Sequence, residues 1–87
     1  MFKTEKNGSV VTLFVELPQG KTQSELVSEA KKEIKNLASE FFGNHVNING
    51  RLTTAMALML GHELAHISKS VSMFDPKENE FVLSVGH

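Results

Sequence analysis

A chain of 87 residues makes one small domain, so we predict a single domain over residues 1–87 and expect so short a chain to associate with a partner subunit. The formal net charge of −1 argues against the broad basic face that duplex DNA requires, but it is compatible with a small anionic ligand held by a few local groups. The absence of cysteine excludes disulfides and favours the cytoplasm, and because no apolar run is long enough to span a bilayer we expect neither export nor membrane insertion.

The first segments predict a β-hairpin. Asn7 and Gly8 separate two strand-like runs, and both residue types tolerate the positive φ angles of a type I′ turn, so we expect them to be the two central turn residues. In the second run, apolar residues alternate on one face, as in a sheet that is covered mainly on one side. They are Val11, Leu13, Val15 and Leu17.

A long amphipathic helix and a short strand follow. Thr22 and Glu25 have the spacing of a capping box, which predicts the start of the helix, and Gly43-Asn44 predicts its end. The next strand covers His45–Asn49, with Val46 and Ile48 pointing inward.

The second predicted helix begins after Gly50-Arg51-Leu52, with Thr53 as its N-cap. Its first half, Ala55–Leu60, is apolar nearly all round, which predicts a helix that is deeply buried or that lies in a subunit interface. Two last strands, Lys69–Phe74 and Glu80–Gly86, flank a turn that begins at Asp75.

The element order ββαβαββ predicts an α+β fold with a mixed sheet and two helices, a layered arrangement of the ferredoxin-like type. The third strand, second helix and fourth strand should form a right-handed parallel crossover, followed by an antiparallel hairpin. The crossover brings Asn49-Gly50-Arg51, Asp75 and the start of the second helix to one end of the molecule. These groups suit a phosphate-binding cradle, and an ordinary capped turn is the alternative interpretation.

Histidines occupy the opposite end. His62 and His66 lie at i and i+4 near the end of the second helix, and the last strand brings His87 to the same end. Neutral imidazoles in such a cluster suit a transition metal, although a helix end also favours histidines through its dipole.

The segment His62–His66 also matches the H-E-x-x-H pattern of zinc proteases, with Glu63 as the general base and His87 or Glu80 as a third ligand. A pattern this short arises by chance, and the chain leaves no room for a substrate cleft. A zinc hydrolase is therefore a remote alternative.

Four motifs in the last forty residues resemble a known family. They are Ile48-Asn49-Gly50-Arg51, the Ala65-His66 pair, Phe74-Asp75-Pro76-Lys77 and the closing His87. In these motifs the chain resembles the small CRISPR-associated ring nucleases of type III systems, stand-alone relatives of CARF domains, and the order of strands and helices agrees over nearly the whole chain.

The resemblance implies a manganese-dependent phosphodiesterase that degrades cyclic tetra-adenylate, with either the adenosine 2′-hydroxyl or a water as the attacking group. It implies that His66 and Asp75 are catalytic and that His66, Asp75 and His87 bind Mn²⁺. By position, Asn49, Gly50 and Arg51 match the segment that meets the cyclic nucleotide, and we add Thr53 to this predicted ligand-binding set.

The predicted topology separates Asp75 from His66 and His87 within one chain. The family is described as holding the ligand between two dimers, so we expect homodimers that assemble head to tail into a tetramer or filament. Two other hypotheses stay open from the sequence: a non-catalytic sensor or sponge for cyclic oligoadenylate, and a dimeric adaptor whose histidines are structural.

Overall fold

A computed structural model describes residues 1–86, and its strands and helices follow the predicted order with one short helix added. The elements are β1 (Phe2–Asn7), β2 (Val10–Val15), α1 (Gln23–Asn36), α2 (Ala38–Phe41), β3 (His45–Gly50), α3 (Thr54–Ile67), β4 (Ser70–Asp75) and β5 (Glu80–Gly86). Five strands form one mixed sheet, so the predicted α+β layered fold is confirmed.

The strands lie in the sheet in their sequence order. β2, β3 and β4 are parallel to one another, whereas β1 and β5 pair antiparallel at the two sides. The parallel crossover through α3 and the final hairpin are therefore confirmed. We call the end of the sheet where β2, β3 and β4 finish, at Val15, Gly50 and Asp75, the carboxyl edge, and the opposite end the amino edge.

The first hairpin differs from the sequence prediction by one residue. Asn7 pairs with Val10, so the turn consists of Gly8 and Ser9, and only Gly8 has a positive φ, at 63°. A type I′ turn at Asn7-Gly8 was the wrong prediction, because a glycine at the first central position supplies the only positive φ that this turn uses. The observed register pairs Lys3 with Phe14 instead of Thr12.

The capping box at the start of α1 is confirmed. The backbone N–H of Glu25 donates to Thr22 Oγ1 at 3.2 Å, and the backbone N–H of Thr22 donates to Glu25 Oε1 at 3.0 Å. This backbone hydrogen bond lowers the pKa of the Glu25 carboxyl.

The helix does not run unbroken to Gly43, as the sequence suggested. It ends at Asn36, and Leu37, with φ −97° and ψ 2°, turns the chain into α2. Phe41, in α2, is fully buried in the core. Burial of a phenylalanine contributes about 1.5–3 kcal/mol, so α2 is anchored to the core by this side chain.

The apolar core lies on one face of the sheet, between the strands and the helices. The buried face of α1 carries Leu26, Ala30 and Ile34 at a spacing of four residues, and α1 packs against α3. The strands contribute Val11, Leu13, Val15, Val46, Ile48 and Val71 to the same core. No helix of residues 1–86 covers the other face, which we call the open face.

Helix α3 buries one stripe of side chains, so the burial on more than one side that its composition predicted is not observed within one copy, and a subunit interface stays a prediction. Thr53 caps it, with Oγ1 accepting a hydrogen bond from the backbone N–H of Met56 at 3.2 Å. Four of its side chains, Met56, Met59, Leu60 and Leu64, lie in the core, whereas Leu58 is 76% exposed. Among the helices in residues 1–86, none is both long and apolar enough to cross a membrane.

Strand β5 is the least buried strand of the sheet. The register of its pairing with β4 shifts between Val71 and Ser72, where a β-bulge interrupts the ladder. Beyond the bulge, Val85 packs against the core, whereas Leu83 pairs with Ser72 on the open face and is 62% exposed.

At the carboxyl edge, the backbone of Gly50 lies so close to the backbone of Val15 that there is no space for a side chain. Its φ is 131°, and a Cβ at this position would lie 2.4 Å from the carbonyl oxygen of Val15. Only glycine fits both the backbone angle and the contact, so Gly50 has a structural role independent of any ligand.

We expect Gly50→Ala to lower the free energy of unfolding by at least about 1–3 kcal/mol, because it adds backbone strain to a clash with the Val15 carbonyl. Chemical denaturation monitored by circular dichroism measures the change. Gly61→Ala is the matched control: Gly61 lies within α3, a Cβ there meets no atom within 4 Å, and alanine should stabilise the helix by up to about 1 kcal/mol. Equal effects of the two substitutions would contradict this account of Gly50.

Candidate functional site

The carboxyl edge brings together most of the residues that the sequence singled out. Asn49 and Gly50 end β3, Asp75 ends the neighbouring parallel strand, and α3 begins after a short loop that contains Arg51. The predicted grouping of these residues at one end of the molecule is confirmed. Their binding of a ligand stays a prediction.

The open face adds two residues that the sequence analysis did not select. Lys3 pairs with Phe14 across the β1–β2 ladder, and Phe14 pairs with Asn49 across the β2–β3 ladder. Residues paired directly across a ladder share a face of the sheet. Lys3, Phe14 and Asn49 therefore form one row, with a cation, an aromatic ring and an amide on three adjacent strands.

This row borders a concave region at the carboxyl edge. The cavity has a volume of about 530 Å³ and is lined by Met1, Phe2, Lys3, Phe14, Val15, Glu16, Leu17, Pro18, Asn49 and Gly50. Its size is within the range of small-molecule sites, roughly 300–1,000 Å³. Phe14 is 38% exposed, so part of its ring is available for contact. The lining includes one cationic side chain, Lys3, and one carboxylate, Glu16, so a ligand with both anionic and donor groups suits it best.

Thr53 and Arg51 border the same edge without lining this cavity. The hydroxyl of Thr53 accepts the capping hydrogen bond from the backbone N–H of Met56. This structural role accounts for a threonine at position 53 without a ligand. Arg51 is exposed, and its guanidinium is thus accessible to an anion that approaches the beginning of α3.

Asp75 takes part in the turn that follows β4. Its Oδ1 accepts a hydrogen bond from the backbone N–H of Lys77 at 2.9 Å, and the side chain is half-buried. This hydrogen bond orients the carboxylate and leaves its second oxygen available to another partner.

The histidines of α3 lie toward the amino edge. His62 and His66 are exposed on the same face of the helix, with their Nε2 atoms 3.3 Å apart. Asp75 is separated from this end by the length of β4, five residue steps or roughly 17 Å. The predicted metal ligand His87 lies outside the described residues. Within residues 1–86, no three His, Asp or Glu side chains come together in a group that fits a metal ion.

A polar cluster on the open face was missed by the sequence analysis. The Nε2 atom of His45 lies 2.8 Å from Asn47 Oδ1 and 3.1 Å from Ser72 Oγ, and its Nδ1 atom contacts Ser70 Oγ. Both ring nitrogens are thus engaged.

The signal for this cluster was present in the sequence. His45 and Asn47 alternate with the inward residues of β3, and Ser70 and Ser72 do the same on β4, so the two polar pairs face each other once the strands are parallel. A flat sheet face does not provide the N–H groups of an oxyanion hole, since the ladders use them. We therefore assign a structural role to the Ser70–His45 contact.

No protein-family model and no curated protein matches this chain. The resemblance to ring nucleases therefore rests on four short motifs and on the order of strands and helices.

We expect His45→Ala to lower the free energy of unfolding by about 1–3 kcal/mol, because Ser72 is 4% exposed and would lose a hydrogen-bond partner that water does not easily replace. Urea denaturation measures the difference. His62→Ala removes an exposed histidine and should change stability by no more than about 0.5 kcal/mol. If His45→Ala is as neutral as this control, the cluster is not a structural element.

Proposed function

We propose that this protein binds cyclic tetra-adenylate at the carboxyl edge and cleaves it as a metal-dependent phosphodiesterase, which would end a type III CRISPR antiviral signal. The proposal is supported by the four motifs shared with the ring nucleases. The observation that carries it is the combination of Lys3, Phe14 and Asn49 in one row beside Gly50 and the cavity.

The chemistry of this row suits a nucleotide. An exposed aromatic ring provides a stacking surface for a base, and stacking of this kind is worth about 1–3 kcal/mol per base. The ammonium of Lys3 and the guanidinium of Arg51 suit phosphate oxygens, and the amide of Asn49 has both a donor and an acceptor for a base edge or a ribose hydroxyl.

The cyclic ligand contains identical repeated units, so identical copies of the chain would each supply the same contacts around it. A symmetric assembly would also bring Asp75 of one copy close to His66 of another. One copy does not bring these two residues together, whereas the carboxyl edge of one dimer facing the histidine end of another would do so.

Asp75 would supply the carboxylate oxygen that Mn²⁺ prefers and His66 an additional imidazole nitrogen, but within a single copy they do not converge on one ion. When bound between copies, a divalent cation would offset phosphate charge. In such a cleavage the attacking oxygen forms a bond to phosphorus, the bond from phosphorus to the ribose 5′-oxygen breaks, and a proton passes from the attacker to the departing oxygen. His66 is exposed at the last turn of α3, and its imidazole, when it is not bound to the cation, would carry that proton. The Asp75 carboxylate, oriented by the backbone N–H of Lys77, would accept a hydrogen bond from a ribose hydroxyl or hold the phosphate through the cation.

Incubation with cyclic tetra-adenylate and Mn²⁺, resolved by chromatography, tests the proposal. We expect linear products from the wild-type protein, with cyclic hexa-adenylate as the comparison ligand. His66→Ala should abolish cleavage and retain ligand binding, because His66 lies away from the binding row. Binding without products in the wild-type protein would favour a non-catalytic sensor, and absence of binding would contradict the proposal.

Arg51→Ala should weaken ligand binding first. A charge-assisted hydrogen bond to phosphate is worth about 1.5–3 kcal/mol, equivalent to roughly 10- to 100-fold in Kd. Lys35→Ala is the matched control, since it removes an exposed cation from the last turn of α1. Equal losses in both variants would indicate a general charge effect instead of contact at the site.

Mixing Asp75→Ala with His66→Ala should restore part of the activity. In a mixed assembly, some carboxyl edges with an intact Asp75 face histidine ends with an intact His66, so those interfaces regain both residues. The activity of the mixture is compared with that of each variant alone at the same total concentration. An inactive mixture of two folded, ligand-binding variants would contradict a site built between dimers.

A further inference from the structure

The histidine pair of α3 has a geometry that the proposed cleavage reaction does not use. His62 and His66 lie one helical turn apart, both are exposed, and their Nε2 atoms are 3.3 Å apart. The ring planes are nearly perpendicular, at 85°, with centroids 4.7 Å apart.

The distance between the two nitrogens is informative. Zinc binds imidazole nitrogen at about 2.0–2.1 Å, so two such ligands at a tetrahedral angle lie roughly 3.3–3.4 Å apart. The observed 3.3 Å matches this spacing, so both nitrogens reach one ion without a change in the backbone. Without an ion, the same distance allows a hydrogen bond between one protonated and one unprotonated ring nitrogen.

The surroundings of the pair favour a cation. His66 is in the last turn of α3, where the helix dipole is negative. Leu60 and Leu64, on the opposite side of the same helix, are fully buried. They hold the backbone of this turn against the core, so little conformational entropy is lost when an ion binds.

We propose that His62 and His66 together bind one late first-row divalent cation. Zn²⁺ is the ion that we expect. Imidazole nitrogens suit zinc, copper and nickel, whereas magnesium and manganese prefer oxygen ligands. This site shares His66 with the manganese site of the proposed function, but its second residue is His62 instead of Asp75 and its metal preference is different. It also requires no catalytic role for Glu63, so it differs from a zinc protease centre.

One consequence rests on the proposed function. Because the chelate occupies Nε2 of His66, zinc would remove that imidazole from proton transfer. His62 would thus make cleavage sensitive to zinc, although it takes no part in the reaction. We expect zinc to inhibit Mn²⁺-dependent cleavage by the wild-type protein and to have little effect on His62→Ala.

The chelate itself is tested by metal binding without any nucleotide. Cobalt(II) added to the wild-type protein should give the intense visible absorption of tetrahedral coordination, and zinc should displace it, whereas excess Mg²⁺ should not. Competition with a chromophoric chelator measures zinc affinity. Loss of one of two linked ligands should weaken it by about a hundredfold in His62→Ala and in His66→Ala.

A double variant tests whether zinc affinity depends on the spacing of the two histidines or only on their number. Gly61→His combined with His62→Ala retains two helical histidines but places them five residues apart, on different faces, so it should bind zinc no better than His62→Ala. Glu63→Gln and Asp75→Ala should bind zinc as the wild-type protein does. Wild-type affinity in His62→Ala or in the displaced pair, or no tetrahedral cobalt spectrum in the wild-type protein, would overturn the proposal. If cleavage is never observed, the proposed function fails while these binding measurements still decide the chelate.

Discussion

Two parallel crossovers, one through α1 and α2 and one through α3, carry their helices to the same side of the sheet. A helix with an apolar stripe is stable only where the stripe is covered, and here the two long helices cover each other as well as the strands. Val11, Ile48 and Val71 on three adjacent strands supply the surface on which they pack. The whole apolar core is therefore on one side, and the other side of the sheet is left to polar and aromatic residues.

The same arrangement divides the chemistry of the molecule between two ends. Each parallel strand delivers its last residues to the carboxyl edge, and each helix returns the chain to the amino edge. Loop residues such as Arg51 and Asp75 are thus held near the start of α3, whereas His62 and His66 are held near its finish. Groups on opposite ends of a rigid helix cannot approach each other by a side-chain rotation. Cooperation between them requires a second molecule.

Much of this organisation could be predicted from the sequence. The capping residues Thr22 and Thr53 and the apolar alternation in β2 have local physical causes, so the starts of both long helices and the inward face of β2 were predicted correctly. The hairpin turn was predicted one residue too early, because Asn7-Gly8 and Gly8-Ser9 are both acceptable turns and both place the same residues of β2 on the core face, so the apolar alternation does not distinguish them.

The candidate site was predicted less completely, for a related reason. Asn49, Gly50 and Asp75 belong to parallel strands, and the crossover rule alone groups them. Phe14 joins them only through the register of β2 with β3, and Lys3 only through the register of β1 with β2, which local sequence patterns do not specify. A single sequence also does not distinguish a glycine kept for a ligand from one kept for backbone contact. The close approach to the Val15 carbonyl is enough to require glycine at position 50.

The bulge between β4 and β5 affects how readily two molecules associate through their edge strands. Within residues 1–86 the outermost strands are β1 and β5, and each has one side without a strand partner. The charges of Lys3, Glu5 and Lys6 discourage another chain from adding to β1, but β5 carries Phe81, Val82 and Leu83 in succession. The bulge at Val71/Ser72 makes the ladder irregular near the end of β5, which hinders a further strand from pairing with β5 along its full length. An irregularity that costs hydrogen bonds within the sheet thereby discourages edge-to-edge association through this apolar strand.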